Sequence, residues 1–146
     1  AGGLCTTIIP SAEARFVKLL ELDPRDVNAQ AGLMALRGQV DPVQSESRLK
    51  NLIATSPDAP QLHFVLGNQY AQQARWAEAQ AAYFRAYSGD SENADFAFNL
   101  AVSLDQLRQK ALALQYYQRA IALAASRPVS FELTQITIRI QELQRQ

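Results

Sequence analysis

Two stretches of this chain say nearly the same thing. Residues 66–86 read LGNQYAQQARWAEAQAAYFRA, and residues 100–120 read LAVSLDQLRQKALALQYYQRA. Leu66, Gly67, Tyr70, Ala79, Tyr83 and Ala86 correspond to Leu100, Ala101, Leu104, Ala113, Tyr117 and Ala120, every pair at the same interval, and Arg85 corresponds to Arg119 at that interval too. A fixed period of about 20–50 residues marks a stacked array, in which each unit buries its apolar face only against its neighbours. Inside a unit the spacing is helical: Leu66 and Tyr70 are four apart, and Ala79, Tyr83 and Ala86 are four and three apart. A short turn falls around Ala74–Arg75 and again around Arg108–Gln109, so each unit reads as a helical hairpin. The small residues have a mechanical role. Antiparallel helices approach closely only where small side chains on one meet large ones on the other. Gly67 or Ala101 on the first helix, and Ala79 or Ala113 on the second, supply that gap. Tyr83 and Tyr117 are expected to fill space toward the next hairpin.

These residue types at these offsets resemble the tetratricopeptide repeat (TPR). The register extends backwards. Leu49, Leu52 and Pro57 take the large, small and closing-proline positions, and Leu33 takes that of the first-helix leucine. The step from Pro24 to Pro57 falls one position short of the repeat interval, and the deletion is placed in the turn near Gln39–Pro42. Ala12, Phe16, Leu19 and Pro24 match the second helix of a still earlier unit. The resemblance covers about residues 12–127. Departures are His63 where tryptophan is typical, Met34 where a small residue is typical, and Ser91 and Ala125 in place of the closing proline. The resemblance implies an all-α fold, a right-handed superhelix of stacked antiparallel hairpins. The expected organisation is a linker, domain boundary or expression scar over 1–10, and an array over 11–127. The array comprises a half repeat at 11–24 and repeats at 27–58, 60–92 and 94–127. A capping helix over 129–146 follows, its apolar face Leu133, Ile136, Ile140 and Leu143. The alternation of Ile136, Ile138 and Ile140 is a strand rhythm, but the length of the segment and its ending QELQRQ favour helix.

Composition narrows the function. Fourteen Lys and Arg balance fourteen Asp and Glu, so the chain lacks the electrostatic footprint of a nucleic-acid binder. No apolar run is long enough for a membrane span. The single cysteine, Cys5, can form neither an internal disulfide nor a thiolate metal site. The single histidine, His63, stands at an inter-helix packing position with no nucleophile or orienting partner proposed nearby. No glycine-rich phosphate loop is present. No cofactor, metal or catalytic residue is therefore expected, and the chain reads as something other than an enzyme.

Hairpins stacked with a small rotation curl around a concave face. In TPR proteins the first helices line it. Carrying over the family positions that point into the groove gives Ala31 and Ala35, then Gln61, Phe64, Asn68 and Gln72, then Asp95, Phe98, Val102 and Asp105. Phe64 and Phe98 are equivalent, and two readings stay open: packing against the neighbouring hairpin, or an exposed anchor for a partner's apolar side chain. Asn68 offers both donor and acceptor to a peptide backbone. The basic clamp that holds chaperone C-termini is absent. Ala31, Ala35, Phe64, Val65, Asp95 and Asn99 stand in its places, and Asp95 would repel a carboxylate. The resemblance thus implies a non-catalytic module that binds a protein or peptide. Its Ala- and Gln-rich style looks like bacterial arrays of pilus biogenesis, secretion and envelope assembly. The alternative is a structural oligomerisation module. Bacterial cytoplasm and the periplasmic domain of an anchored protein both remain open. The half repeat at 11–24 leaves Phe16, Leu19, Leu20 and Leu22 needing cover, from which weak self-association is expected.

Overall fold

The structure, a computed structural model, describes residues 11–126 and 128–145. Cys5 and the rest of AGGLCTTIIP, and Arg127, lie outside the described residues. Among the described residues the chain is built of eight α-helices and no strand: α1 (Ala12–Leu22), α2 (Val27–Gly38), α3 (Pro42–Thr55), α4 (Pro60–Gln72), α5 (Trp76–Gly89), α6 (Ala94–Gln106), α7 (Lys110–Ala124) and α8 (Leu133–Gln144). The last segment is thus helical, not a strand.

Local chemistry starts these helices where they start. Ser11, Asp26, Asp41 and Asn93 each accept, through the side chain, the backbone N–H three residues on, the usual N-cap bond. Pro42 and Pro60 open α3 and α4 with a backbone angle already suited to a helix. The hairpin turns repeat as the sequence does. Ala74 and Arg108, one repeat apart, are left-handed with φ of 57° and 62°. Behind each, the N–H of the next residue reaches back five positions, Arg75 to the Tyr70 carbonyl and Gln109 to the Leu104 carbonyl, both at 2.9 Å. This is the helix-ending motif that uses one left-handed residue. The α2–α3 turn has none: Gln39 stays right-handed at φ −72°, and α2 has 12 residues where α4 and α6 have 13. The missing residue of the short unit is the left-handed one.

The core is a continuous ribbon of small and large side chains from α2 to α8. Ala79, Ala97, Ala101 and Ala113 have no exposed surface, nor do Leu49, Leu62 and Leu100. The tyrosines correct the sequence reading. Tyr83 turns into its own hairpin rather than the next. Its ring lies so close to Gly67 that a Cβ there would come within 2.6 Å of it. Tyr117 likewise faces Phe98 of its own hairpin, with ring centroids 6.1 Å apart. His63 is buried, its Nε2 donating to the Pro57 carbonyl at 2.9 Å, which ties α4 to the loop before it. The α4–α5 turn is bolted to α3 by Arg75, which pairs with Glu46 at 3.0 Å and with Glu78 at 2.6 Å while lying 4.5 Å from the Tyr70 ring centre.

The two ends of the ribbon differ. At α1, Phe16 and Leu20 pack on the core, the Phe16 ring resting on the bare backbone of Gly32. Val17, Leu19 and Leu22 are exposed. At the other end, α8 buries Ile136 and Leu143 on α7. Leu133, expected on that face, is exposed instead, as is Ile138. A charge fastens α8. Arg139 grips Asp105 of α6 with two N–H groups, at 2.7 and 2.6 Å, and Tyr117 donates to the same carboxylate at 3.0 Å. The Arg139 bonds hold the Asp105 carboxyl below the usual aspartate range. No described helix is long and apolar enough to cross a membrane.

A non-glycine residue in the left-handed region is strained by about 1–2 kcal/mol, part of which glycine recovers while adding flexibility to the unfolded chain. Ala74→Gly and Arg108→Gly are each expected to raise stability by about 0.5–1 kcal/mol in urea unfolding. Unchanged or lower midpoints for both would contradict the turn geometry. Asp105→Asn should weaken the docking of α8 by about 1–2 kcal/mol, read as faster amide exchange across residues 133–144 with α4 and α5 unaffected. Because folding lowers the Asp105 pKa, its contribution is present above the unfolded value. It is lost as pH falls through the folded one, so α8 should loosen in acid below about pH 4, and the Asn variant should lose that acid step.

Candidate groove on the concave face

The first helices α2, α4 and α6 run side by side, and equivalent turns of each meet at one cavity of about 450 Å³. Its first layer is a row of equivalent residues, Ala35, Asn68 and Val102, one per repeat. Gln39 and Gln72 form a second row one turn further on. Val65, Gln69, Ala71 and Asn99 complete the side of the first helices, and Trp76 and Tyr83 reach in from α5. The volume lies in the ordinary range for ligand clefts, about 300–1,000 Å³.

No lining side chain is ionised. Tyr83 is a buried phenol, and burial pushes its pKa well above the usual tyrosine range, so it stays a donor. It donates to Asn68 Oδ1 at 2.6 Å. That bond settles the orientation of the Asn68 amide and leaves its NH2 as the end not held by Tyr83. Asn99 is oriented the opposite way: its Nδ2 donates to the Asp95 carbonyl at 2.8 Å, so its oxygen is the end left for other contacts. Gln69 is only 4% exposed. Its Nε2 donates to the Met34 carbonyl at 3.3 Å, and its Oε1 is buried without a hydrogen-bond partner. A buried acceptor in that condition costs roughly 1–3 kcal/mol, and it lies at the wall shared by α2 and α4.

The residues expected to line the groove do not stay together. Asn68, Gln72 and Val102 line the cavity. Phe64 and Phe98 are half-buried within stacks: Phe64 lies 4.9 Å from Phe96 and 5.7 Å from Tyr83, and Phe98 lies 4.5 Å from Phe131. Of the two readings left open for them, the stacks favour packing, Phe64 against the next hairpin and Phe98 against the segment that follows the last one. Phe131 takes beside Phe98 the place that Phe96 takes beside Phe64. Asp95 and Asp105 are engaged by the C-terminal segment: Asp95 Oδ1 accepts from the Ser130 N–H at 3.1 Å and from its hydroxyl at 2.7 Å, and Asp105 is held by Arg139. Gln61 borders a separate cavity beside the α3–α4 loop. Ala31 is buried. Trp76, Tyr83, Gln69 and Asn99 were not among the sequence candidates. The first two stand on a second helix, outside the groove positions carried over. Gln69, a carboxamide one position from Asn68 in an otherwise apolar run, was the available signal.

No protein-family model matches the chain, and no curated protein sequence matches it. Solved structures do. The chain resembles YrrB, described as a TPR protein with an unusual peptide-binding site, at 22% identity and a TM-score of 0.72; the match covers 90% of this chain and 66% of the YrrB chain. It resembles two structures of MamA: one designated MSR-1, at 21% identity and a TM-score of 0.66 over 92% of this chain and 74% of that one, and one designated AMB-1, at 22% and 0.67 over 90% and 73%. The chain therefore spans just under two thirds of YrrB. Identities this low speak for the fold alone: the chain has the fold of those TPR structures, a right-handed superhelix of stacked helical hairpins.

Proposed function

We propose that this chain is a non-catalytic interaction module that binds a segment of another protein in its concave groove. The observation that carries the reading is the cavity itself: one residue from each of three successive first helices, Ala35, Asn68 and Val102, meets there with Trp76 and Tyr83. A site shared by three repeats exists only when the hairpins are stacked, and it suits an elongated ligand laid across them. The likeness to YrrB supports a peptide as that ligand. A scaffold role in bacterial pilus biogenesis, secretion or envelope assembly is the setting we propose, on the Ala- and Gln-rich style of the hairpins.

The test is selection of a random heptapeptide phage library on the intact chain. Enrichment is expected, and Val102→Arg, which fills the cavity with a charged side chain, should abolish binding of the selected peptides. Phe84→Arg, at an exposed position on α5, should leave it unchanged. Peptides that bind Val102→Arg as well as wild type would move the site elsewhere.

One observation favours a second reading, an assembly module. Val17, Leu19 and Leu22 expose an apolar strip on α1 while Phe16 and Leu20 are used in packing. Apolar surface of that kind is withdrawn from water by contact with another surface. Light scattering across a concentration series should show weak association that the double variant Leu19→Ser, Leu22→Ser removes, with its circular dichroism intact. A strictly monomeric wild-type chain would exclude this reading.

A further inference from the structure

We infer that the groove selects an uncharged peptide segment by its amide groups. This rests on the groove reading above and adds to it the chemistry of the ligand. The cavity wall carries five carboxamides, Gln39, Asn68, Gln69, Gln72 and Asn99, and no ionised side chain. The two acids of α6 nearest in register are occupied, Asp95 by Ser130 and Asp105 by Arg139 and Tyr117. An ionised ligand group would leave water for a site with no counter-ion, which is unfavourable.

The carboxamides are also polarised. Tyr83 holds the Asn68 oxygen, which leaves its NH2 to donate. Asn99 spends its NH2 on the Asp95 carbonyl, which leaves its oxygen to accept. Gln69 spends its NH2 on the Met34 carbonyl, and its buried Oε1 has no partner. Turned round, the Gln69 amide would set its oxygen against the Met34 carbonyl oxygen, so a flip does not relieve Oε1. The wall therefore presents a donor on Asn68 and an acceptor on Asn99, with the unsatisfied Gln69 Oε1 buried behind them. A peptide unit, or the side chain of an asparagine or glutamine, carries the complementary N–H and C=O. Trp76 and Val102 supply the apolar surface for a neighbouring side chain. Gln39 and Gln72, both exposed at the rim, can present either end of their amides.

The experiment uses Trp76, the only tryptophan in the chain, as the reporter. Three pools of acetylated and amidated heptapeptides are titrated against the intact protein: one randomised over neutral residues, one with acidic residues added, one with basic residues added. The neutral pool should change the Trp76 emission most strongly, with an affinity that stays constant within about twofold from roughly 50 to 500 mM salt. Asn99→Leu should weaken that pool about tenfold with the circular dichroism unchanged, because it removes the acceptor left at the groove wall. Gln72→Glu, at an exposed position, should shift preference toward the basic pool. Tighter binding of the acidic or basic pool by the wild type, steep salt dependence, wild-type affinity in Asn99→Leu, or an unchanged ranking in Gln72→Glu would each overturn the inference. If phage selection yields groove-binding peptides but they are charged, the proposed function stands and this inference falls. If no peptide binds in either experiment, both fall.

Discussion

Everything in this molecule depends on how closely two helices approach within a hairpin. Ala79, Ala101 and Ala113 have no exposed surface, and at Gly67 the Tyr83 ring comes so close that a Cβ would collide with it. Small buried residues on each helix leave room for one ring, Tyr83 or Tyr117, that turns back into its own hairpin. Dispersion contacts weaken steeply with separation, so a wider crossing would leave those rings without neighbours. Once each hairpin is closed this way it becomes a rigid plate, and the array follows by stacking plates.

The same tyrosines connect packing to the concave face. Each ring is core and each hydroxyl reaches a groove position of the preceding helix: Tyr83 holds Asn68, and Tyr117 holds Asp105. Burial raises the pKa of both phenols, and for Tyr117 the nearby Asp105 charge acts in the same direction. Both therefore remain donors and orient what they touch. The consequences diverge because the residues differ. In the middle repeat the oriented group is a neutral amide that borders an open cavity. In the last repeat it is a carboxylate, and Arg139 of α8 closes over it. One repeated geometry thus yields an open groove at the centre and a fastened cap at the end.

Much of this was legible in advance because the repeat is a local code. Helix spacing, the turns at Ala74 and Arg108, and the alanines of the crossing are consequences of neighbours within a single repeat, and the periodicity of a helix reports them directly. The candidate site was legible only as a set of positions. Asn68, Gln72 and Val102 do line one cavity, whereas Phe64 and Phe98 are stacked on Phe96 and Phe131 and Asp95 and Asp105 are engaged by Ser130 and Arg139. Those partners lie about one repeat away. A family position tells which way a residue starts out from its helix, and not what the next unit places in front of it.

The sequence by itself determined the repeat, the helical hairpins and the small residues placed at the crossings, since each follows from residue type and spacing along one or two turns of helix, and its composition set the even balance of basic and acidic residues. The tertiary structure alone decided that Tyr83 folds inward onto Gly67, that Phe131 takes up the place of Phe96 at the end of the array, and that five carboxamides from the first helices and their turns, with Trp76 from α5, border one uncharged cavity. These depend on the rotation of one hairpin against the next. That rotation is the sum of many side-chain contacts between units, and no single stretch of the chain encodes it.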